Sequence, residues 1–155
     1  MSQGVKYVRK QEVTLRGQRV VLFDTIEVPK KCKLRLTFKT VNSEWRQGVR
    51  IGAMSARTDL RLTVAGRQSP GMQLWQDTCP RQVEIDCECP SETVAIYNIW
   101  DTGDGQSTSQ TAGAGMHVEL SPDGRTRVYN CNDGHPEPLF KSLVFQIETL
   151  TEKPS

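Results

Sequence analysis

The chain has 155 residues, of which 36% are hydrophobic and 25% charged, and its net charge is only +2. That is enough chain for one domain with a core that needs no disulfides, and its composition is too apolar for general disorder. No stretch approaches the roughly 18 consecutive apolar residues of a membrane-spanning helix.

The opening residues, MSQGVKYVRKQEV, contain no apolar signal segment, so a cytoplasmic chain is the default expectation, with export by a signal-less route left open. VKYVR (5–9) reads as a short first strand and RVVLFDTIEV (19–28) as the next. KCKLRLTFKT (31–40) alternates cleanly, with Cys32, Leu34, Leu36, Phe38 and Thr40 on one face and Lys31, Lys33, Arg35, Thr37 and Lys39 on the other. Such alternation marks a strand with one buried and one wet face. GVRIGAM (48–54), TDLRLTV (58–64), QVEIDCEC (82–89) and TVAIYNIW (93–100) follow. GMHVEL (115–120) and RTRVYN (125–130) flank the turn signal SPDGR and form a hairpin, and SLVFQIETL (142–150) closes the series. No window sustains a helical period. Nine or ten short strands separated by Gly, Pro, Asn and Asp predict a single antiparallel β-sandwich, jelly-roll-like, with little helix. One domain over residues 1–155 is expected, with 1–4 and 151–155 as frayed tails.

Charge is divided along the chain. Residues 1–67 hold fifteen Lys/Arg against five Asp/Glu, and residues 68–155 hold five against thirteen. The split implies either a dipolar surface suited to head-to-tail homo-oligomers or a matching of early basic strands with late acidic ones across the sheets. The basic stripe Lys31, Lys33, Arg35 and Lys39, extended by Arg50 and Arg61, would suit a polyanion. It lacks interleaved aromatics, so a solvated sheet face is preferred to nucleic-acid binding.

Chemistry-bearing patterns are sparse. No nucleophile elbow, phosphate loop, dinucleotide-binding turn or zinc-protease helix occurs, and no catalytic constellation is visible, although a carboxylate pair brought together by the fold stays open. Five cysteines, an odd number, favour reduced thiols. Cys87, Cys89, Cys131 and His135 could supply a zinc site, but the spacing lacks a proper knuckle and core thiols are the plainer reading. Oxygen ligands are richer. The loop WDTGDGQ (100–106) carries Asp101 and Asp104, with carbonyls near Gly103 and Gly105. A second polar connection, YNCNDGHPEP (129–138), adds Asn130, Asn132, Asp133 and Glu137. If the two meet at one end of the sandwich, Asp101, Asp104, Asn130 and Asp133 could hold calcium; the alternative is that D-G and N-D-G simply build turns.

VAIYNIWDTGDGQSTSQTAGAGMHVEL (94–120) resembles the strand–loop–strand of calcium-dependent, galactose-binding bacterial lectins, with Tyr97 and Asn98 at the strand end and Asp101 or Asp104 in the loop. The family's adjacent asparagine pair is replaced near Gln110 and Thr111. NDGHPEPLFKSLVFQIE (132–148) is similar to the terminal acidic-LVF motif of bacterial extracellular β-domains, keeping Phe140 and Leu143–Phe145 but with Lys141 and Ser142 in place of acids. These resemblances imply a bacterial β-sandwich, and the first implies sugar binding assisted by calcium. Trp45, Trp75 and Trp100 lie at or beside loops, where a ring could stack on a sugar or pack the core. The sequence therefore predicts a non-catalytic, lectin-like binding module for carbohydrate or a similar polar surface ligand. Its expected site is Trp100, Asn98, Asp101, Asp104, Asn132 and Asp133, with calcium as the candidate cofactor. The competing reading is a structural β-sandwich that self-assembles or docks a protein partner.

Overall fold

The computed structural model describes residues 12–15, 18–53, 59–109, 114–133 and 140–150. Thirteen strands occur among them: β1 (Glu12–Leu15), β2 (Gln18–Val21), β3 (Asp24–Glu27), β4 (Lys31–Val41), β5 (Arg46–Gly52), β6 (Arg61–Val64), β7 (Arg67–Ser69), β8 (Gly71–Trp75), β9 (Gln82–Glu88), β10 (Thr93–Asp101), β11 (Ala114–Leu120), β12 (Thr126–Asp133) and β13 (Leu143–Leu150). They form an antiparallel nine-stranded sheet, ordered β1-β2-β11-β12-β13-β4-β9-β6-β7, and a four-stranded sheet, ordered β3-β10-β5-β8. The all-β sandwich expected from the alternation is what the chain adopts. No described helix is long and apolar enough to cross a membrane.

The period-two pattern decides which side chains meet. On β4, Cys32, Leu34 and Leu36 turn inward, and Ile85 and Cys87 on β9 and Phe145 and Ile147 on β13 do the same from the neighbouring strands. The smaller sheet answers with Ile26, Val49, Ile51, Leu74, Val94 and Ile96, all in the same buried cluster. Each such side chain contributes about 1.5–3 kcal/mol by leaving water.

Three details depart from the expected strands, the first being β1 (Glu12–Leu15), which no expected strand covers. RVVLFDTIEV is not one strand: β2 ends at Val21 in the large sheet and β3 begins at Asp24 in the small one, so this segment is a corner between layers. The segment RQSPGMQLW, which carries no clean alternation, supplies β7 and β8 at the two sheet edges. The expected strand VKYVR and both expected tails lie outside the described residues.

The hairpin around SPDGR forms as read. Asp123 accepts from Ser121 Oγ at 2.6 Å and from the Arg125 amide at 3.0 Å, and Gly124 takes the left-handed φ of 75° that the turn requires. That turn fixes the β11–β12 register, with His117 opposite Asn130.

Candidate functional site

The solvent face of the large sheet carries one continuous row. His117 on β11 lies opposite Asn130 on β12, Asn130 opposite Val144 on β13, and Val144 opposite Thr40 on β4. A groove of about 750 Å³ runs over this row, with Glu119, Asn42, Phe140 and Lys141 completing its walls. Two local features shape it. Between Val144 and Phe145 the register against β4 slips, so Phe145 pairs with Phe38 and Val144 with Thr40. The resulting bulge at Lys39 turns Thr40 to the groove, although uninterrupted alternation had put it on the buried face with Phe38. Phe140, just before β13, sits at φ 57°, a left-handed conformation that a bulky side chain rarely accepts.

The floor is organised by hydrogen bonds. Asn130 Nδ2 donates to Glu119 Oε1 at 2.9 Å, and also to the His117 carbonyl at 3.4 Å. This leaves the Asn130 amide oxygen directed by a fixed amide plane. The described walls thus offer amide, hydroxyl, imidazole, carboxylate and ammonium groups beside the apolar surfaces of Val144 and Phe140. They hold a single carboxylate, Glu119, and no serine or cysteine. That set can donate and accept hydrogen bonds beside an apolar surface; paired-carboxylate hydrolysis would need a second acid among the described walls.

The residues expected to form the site lie elsewhere, and most are not at the surface. Alternation from Val94 and Ile96 carries Asn98 and Trp100 to the inner face of β10, where each is 2% exposed. Asn98 Nδ2 donates to the Asn132 carbonyl at 3.1 Å, tying the two sheets together, and Asn132 is itself buried. Asp133 is fully buried and accepts from Ser43 Oγ at 2.5 Å and Gln47 Nε2 at 2.9 Å. Asn98 and Asp133 bridge the two sheets at this end of the sandwich, and the side chains of all four residues are buried.

Asp101 and Asp104 are on an accessible loop, but each is engaged in building it. Asp101 Oδ1 accepts from the amides of Gly103 at 2.8 Å and Gly105 at 3.2 Å, and Asp104 Oδ1 from the amide of Gln106 at 3.0 Å. The Gly103 amide, foremost among these, holds the Asp101 carboxyl below the usual aspartate value. The loop then folds back: Thr108 pairs with Trp100, and Ser107 Oγ accepts from Gln73 Nε2 at 2.9 Å over the outer face of the small sheet. The two polar connections do share a pole, because Asp101 is opposite Arg46 and Asp133 bonds Gln47, the next residue. Yet Arg46 points out and Gln47 in, so the carboxylates face different sides of β5. Asn130 lies on the far face, in the groove.

The tryptophans are also accounted for. Trp75 packs on Gly48, where an added Cβ would come within 2.8 Å of its ring, and the Arg46 guanidinium lies over the ring at 4.4 Å from its centre. Arg46 is held there by Asp77, at 2.8 and 2.9 Å. Trp45 is half-buried, with its amide donating to Ser43 Oγ.

Part of the basic stripe is matched across strands. Lys33 lies opposite Asp86 and Arg35 opposite Glu84; Arg35 Nη2 reaches Glu84 at 2.9 Å, and Arg61 approaches Glu88 at 3.8 Å. All five cysteines are free. Among the described residues no three His, Cys, Asp or Glu side chains are arranged to hold a metal ion, while His135, Glu137, Gln110 and Thr111 lie outside those residues. Compared with known proteins, the chain matches no family model, no curated protein sequence and no solved structure.

Proposed function

We propose that this chain is a non-catalytic binding module that takes a carbohydrate, or a similarly hydroxyl-rich polar group, in the groove on the solvent face of its large sheet. The observation that supports this reading is the row His117–Asn130–Val144–Thr40 across four adjacent strands, walled by Phe140 and Lys141. A sugar has hydroxyls for amides and carboxylates and a C–H face for apolar surfaces, and this row offers both within one groove. The lectin resemblance of residues 94–120 favours the same ligand class, through different residues. Calcium, if it takes part, belongs to the Asp101–Asp104 loop and would act there as a support for that loop.

The test is a glycan array followed by amide-shift titration of the positive sugar, with and without calcium. Shifts confined to His117, Glu119, Asn130 and Val144, and lost in Asn130→Ala, are expected. Binding that persists in Asn130→Ala with shifts at Asp101–Gly105 would move the site to the loop. Silence across the array on folded protein overturns the reading.

A further inference from the structure

Cys32 on β4 and Cys87 on β9 are directly opposite each other on the inner face of the large sheet. The kind of pair they form follows from their neighbours. The Cys89 amide donates to the Lys30 carbonyl and the Phe38 amide to the Arg81 carbonyl, both at 2.8 Å. Both pairs keep the Cys32–Cys87 register and lie an even number of residues away, so Cys32 and Cys87 also form a hydrogen-bonded pair. In such a pair the Cα atoms are about 5.5 Å apart, a separation that disulfides span, while the Cβ atoms, about 5.5 Å apart, must draw in to about 4 Å, so a link here is strained and readily reduced.

We propose that Cys32 and Cys87 are a cross-strand dithiol that closes reversibly to a disulfide by exchange with a low-molecular-weight disulfide. Their side chains leave the same face of the sheet, side by side. The Cys87 thiol donates to Cys32, which draws the Cys32 thiol below the ordinary cysteine value against the effect of burial. Cys87 is pushed up, first by that same bond and then by burial. Cys79 and Cys131, by contrast, are both raised chiefly by burial. Exchange starts from one of the pair as the attacking thiolate, taken as Cys32 in the steps that follow. Its thiolate forms a bond to one sulfur of the small disulfide, whose S–S bond breaks and releases a thiolate that takes up a proton. Cys87 then loses its proton and attacks the Cys32 sulfur of the mixed disulfide, releasing the second small thiol. Two protein thiols are oxidised and one small disulfide is reduced to two thiols.

Both thiols are buried on the inner face, so exchange waits on local opening of the sandwich. Leu62 of β6 covers Cys87 from the adjacent strand, and β6 with β7 forms a terminal hairpin of four and three residues. Short edge elements open at low cost.

The experiment treats the intact folded protein with oxidised glutathione, quenches, denatures, alkylates with iodoacetamide and weighs the product. The expected species has lost two hydrogens, carries three alkyl groups rather than five, and yields a peptide joining Cys32 to Cys87. Dithiothreitol returns it to five. Cys89→Ser still forms the link, and Cys32→Ser does not. If Cys32→Ser fails to fold, the wild-type and Cys89→Ser results carry the test. Five alkyl groups after treatment, a persistent glutathione adduct without a link, or a link between Cys87 and Cys89 overturns the proposal.

Discussion

The Tyr129 hydroxyl donates to Asp24 Oδ2 at 2.8 Å, and the same oxygen accepts from Arg127 Nη1 at 2.8 Å. Asp24 belongs to the small sheet and the other two to β12 of the large one, so this trio is a polar clasp between layers whose Asp24 and Tyr129 are buried. Burial, and after it the negative charge of Asp24, pushes the Tyr129 hydroxyl well above the ordinary tyrosine value of 10. The folded protein therefore keeps that proton at pH values where the unfolded chain has lost it. Stability is full below the unfolded tyrosine value and falls as pH rises above it. Tyr129→Phe should lower stability near neutrality by about 1 kcal/mol, the worth of a typical buried hydrogen bond, and should flatten the alkaline loss. Urea unfolding at a series of pH values from 7 to about 11, spanning the free tyrosine range, measures both. An unchanged alkaline slope in the variant would mean that another group sets it.

Glycines on the outer face of the small sheet separate a required absence from a tolerated one. A methyl group at Gly48 would lie 2.8 Å from the Trp75 ring and 2.9 Å from the Leu74 carbonyl, and the carbonyl cannot move without breaking the β5–β8 ladder. At Gly71 the close atoms are Arg50 Nη2 at 2.8 Å and Cζ at 3.3 Å, both at the end of a flexible side chain. Gly48→Ala is expected to cost about 1–3 kcal/mol, as overpacking does, while Gly71→Ala costs less. Equal losses in thermal unfolding would contradict this account.

Much of this fold is legible in the sequence because its strands alternate. KCKLRLTFKT and QVEIDCEC declare their inner faces, and SPDGR declares the hairpin that sets His117 against Asn130. The corner inside RVVLFDTIEV is not legible, since Leu22 and Phe23 continue the apolar run while the backbone changes sheets. The edge strands β7 and β8 are equally silent, because RQSPGMQLW has no period. The burial of several expected site residues is hidden for a related reason. Polarity near a loop drew attention to Asn98, Asn132 and Asp133, but period two sends Asn98 inward with Ile96, and buried polar groups are spent on joining the sheets. The groove depends on four strands falling into one register, and only the His117–Asn130 step of it is local.

Part of the charge split along the chain is matched in cross-strand pairs among the described residues, which predicts behaviour in salt and acid. Lys33 and Arg35 face Asp86 and Glu84 within the sheet, so these charges are engaged inside one copy. Size-exclusion elution should therefore be the same in low and high salt; a shift to smaller species at high salt would show charge-driven assembly. The Arg35 guanidinium holds the Glu84 carboxyl below its ordinary value of 4.5. Its contribution is present above that value and is lost as pH falls past it. Glu84→Gln should remove that part of the acid dependence while leaving the neutral midpoint nearly unchanged, as for an exposed pair.

Phe140 offers the sharpest separation of stability from function. Its φ of 57° costs about 1–2 kcal/mol in a residue with a Cβ, whereas asparagine visits this region several-fold more readily than most residues. Phe140 is only half-buried, so its ring returns part of that cost by packing, and the remainder is strain kept at the rim of the groove. Phe140→Asn should therefore melt at the same temperature as the parent or higher, while losing the apolar wall and with it affinity for the sugar that the array identifies. A core residue would behave in the opposite way, with stability falling and affinity following only as the fold is lost. Paired measurements of melting temperature and binding on this one variant distinguish the two: a lower melting temperature with affinity retained would assign Phe140 to packing and remove it from the groove's working surface.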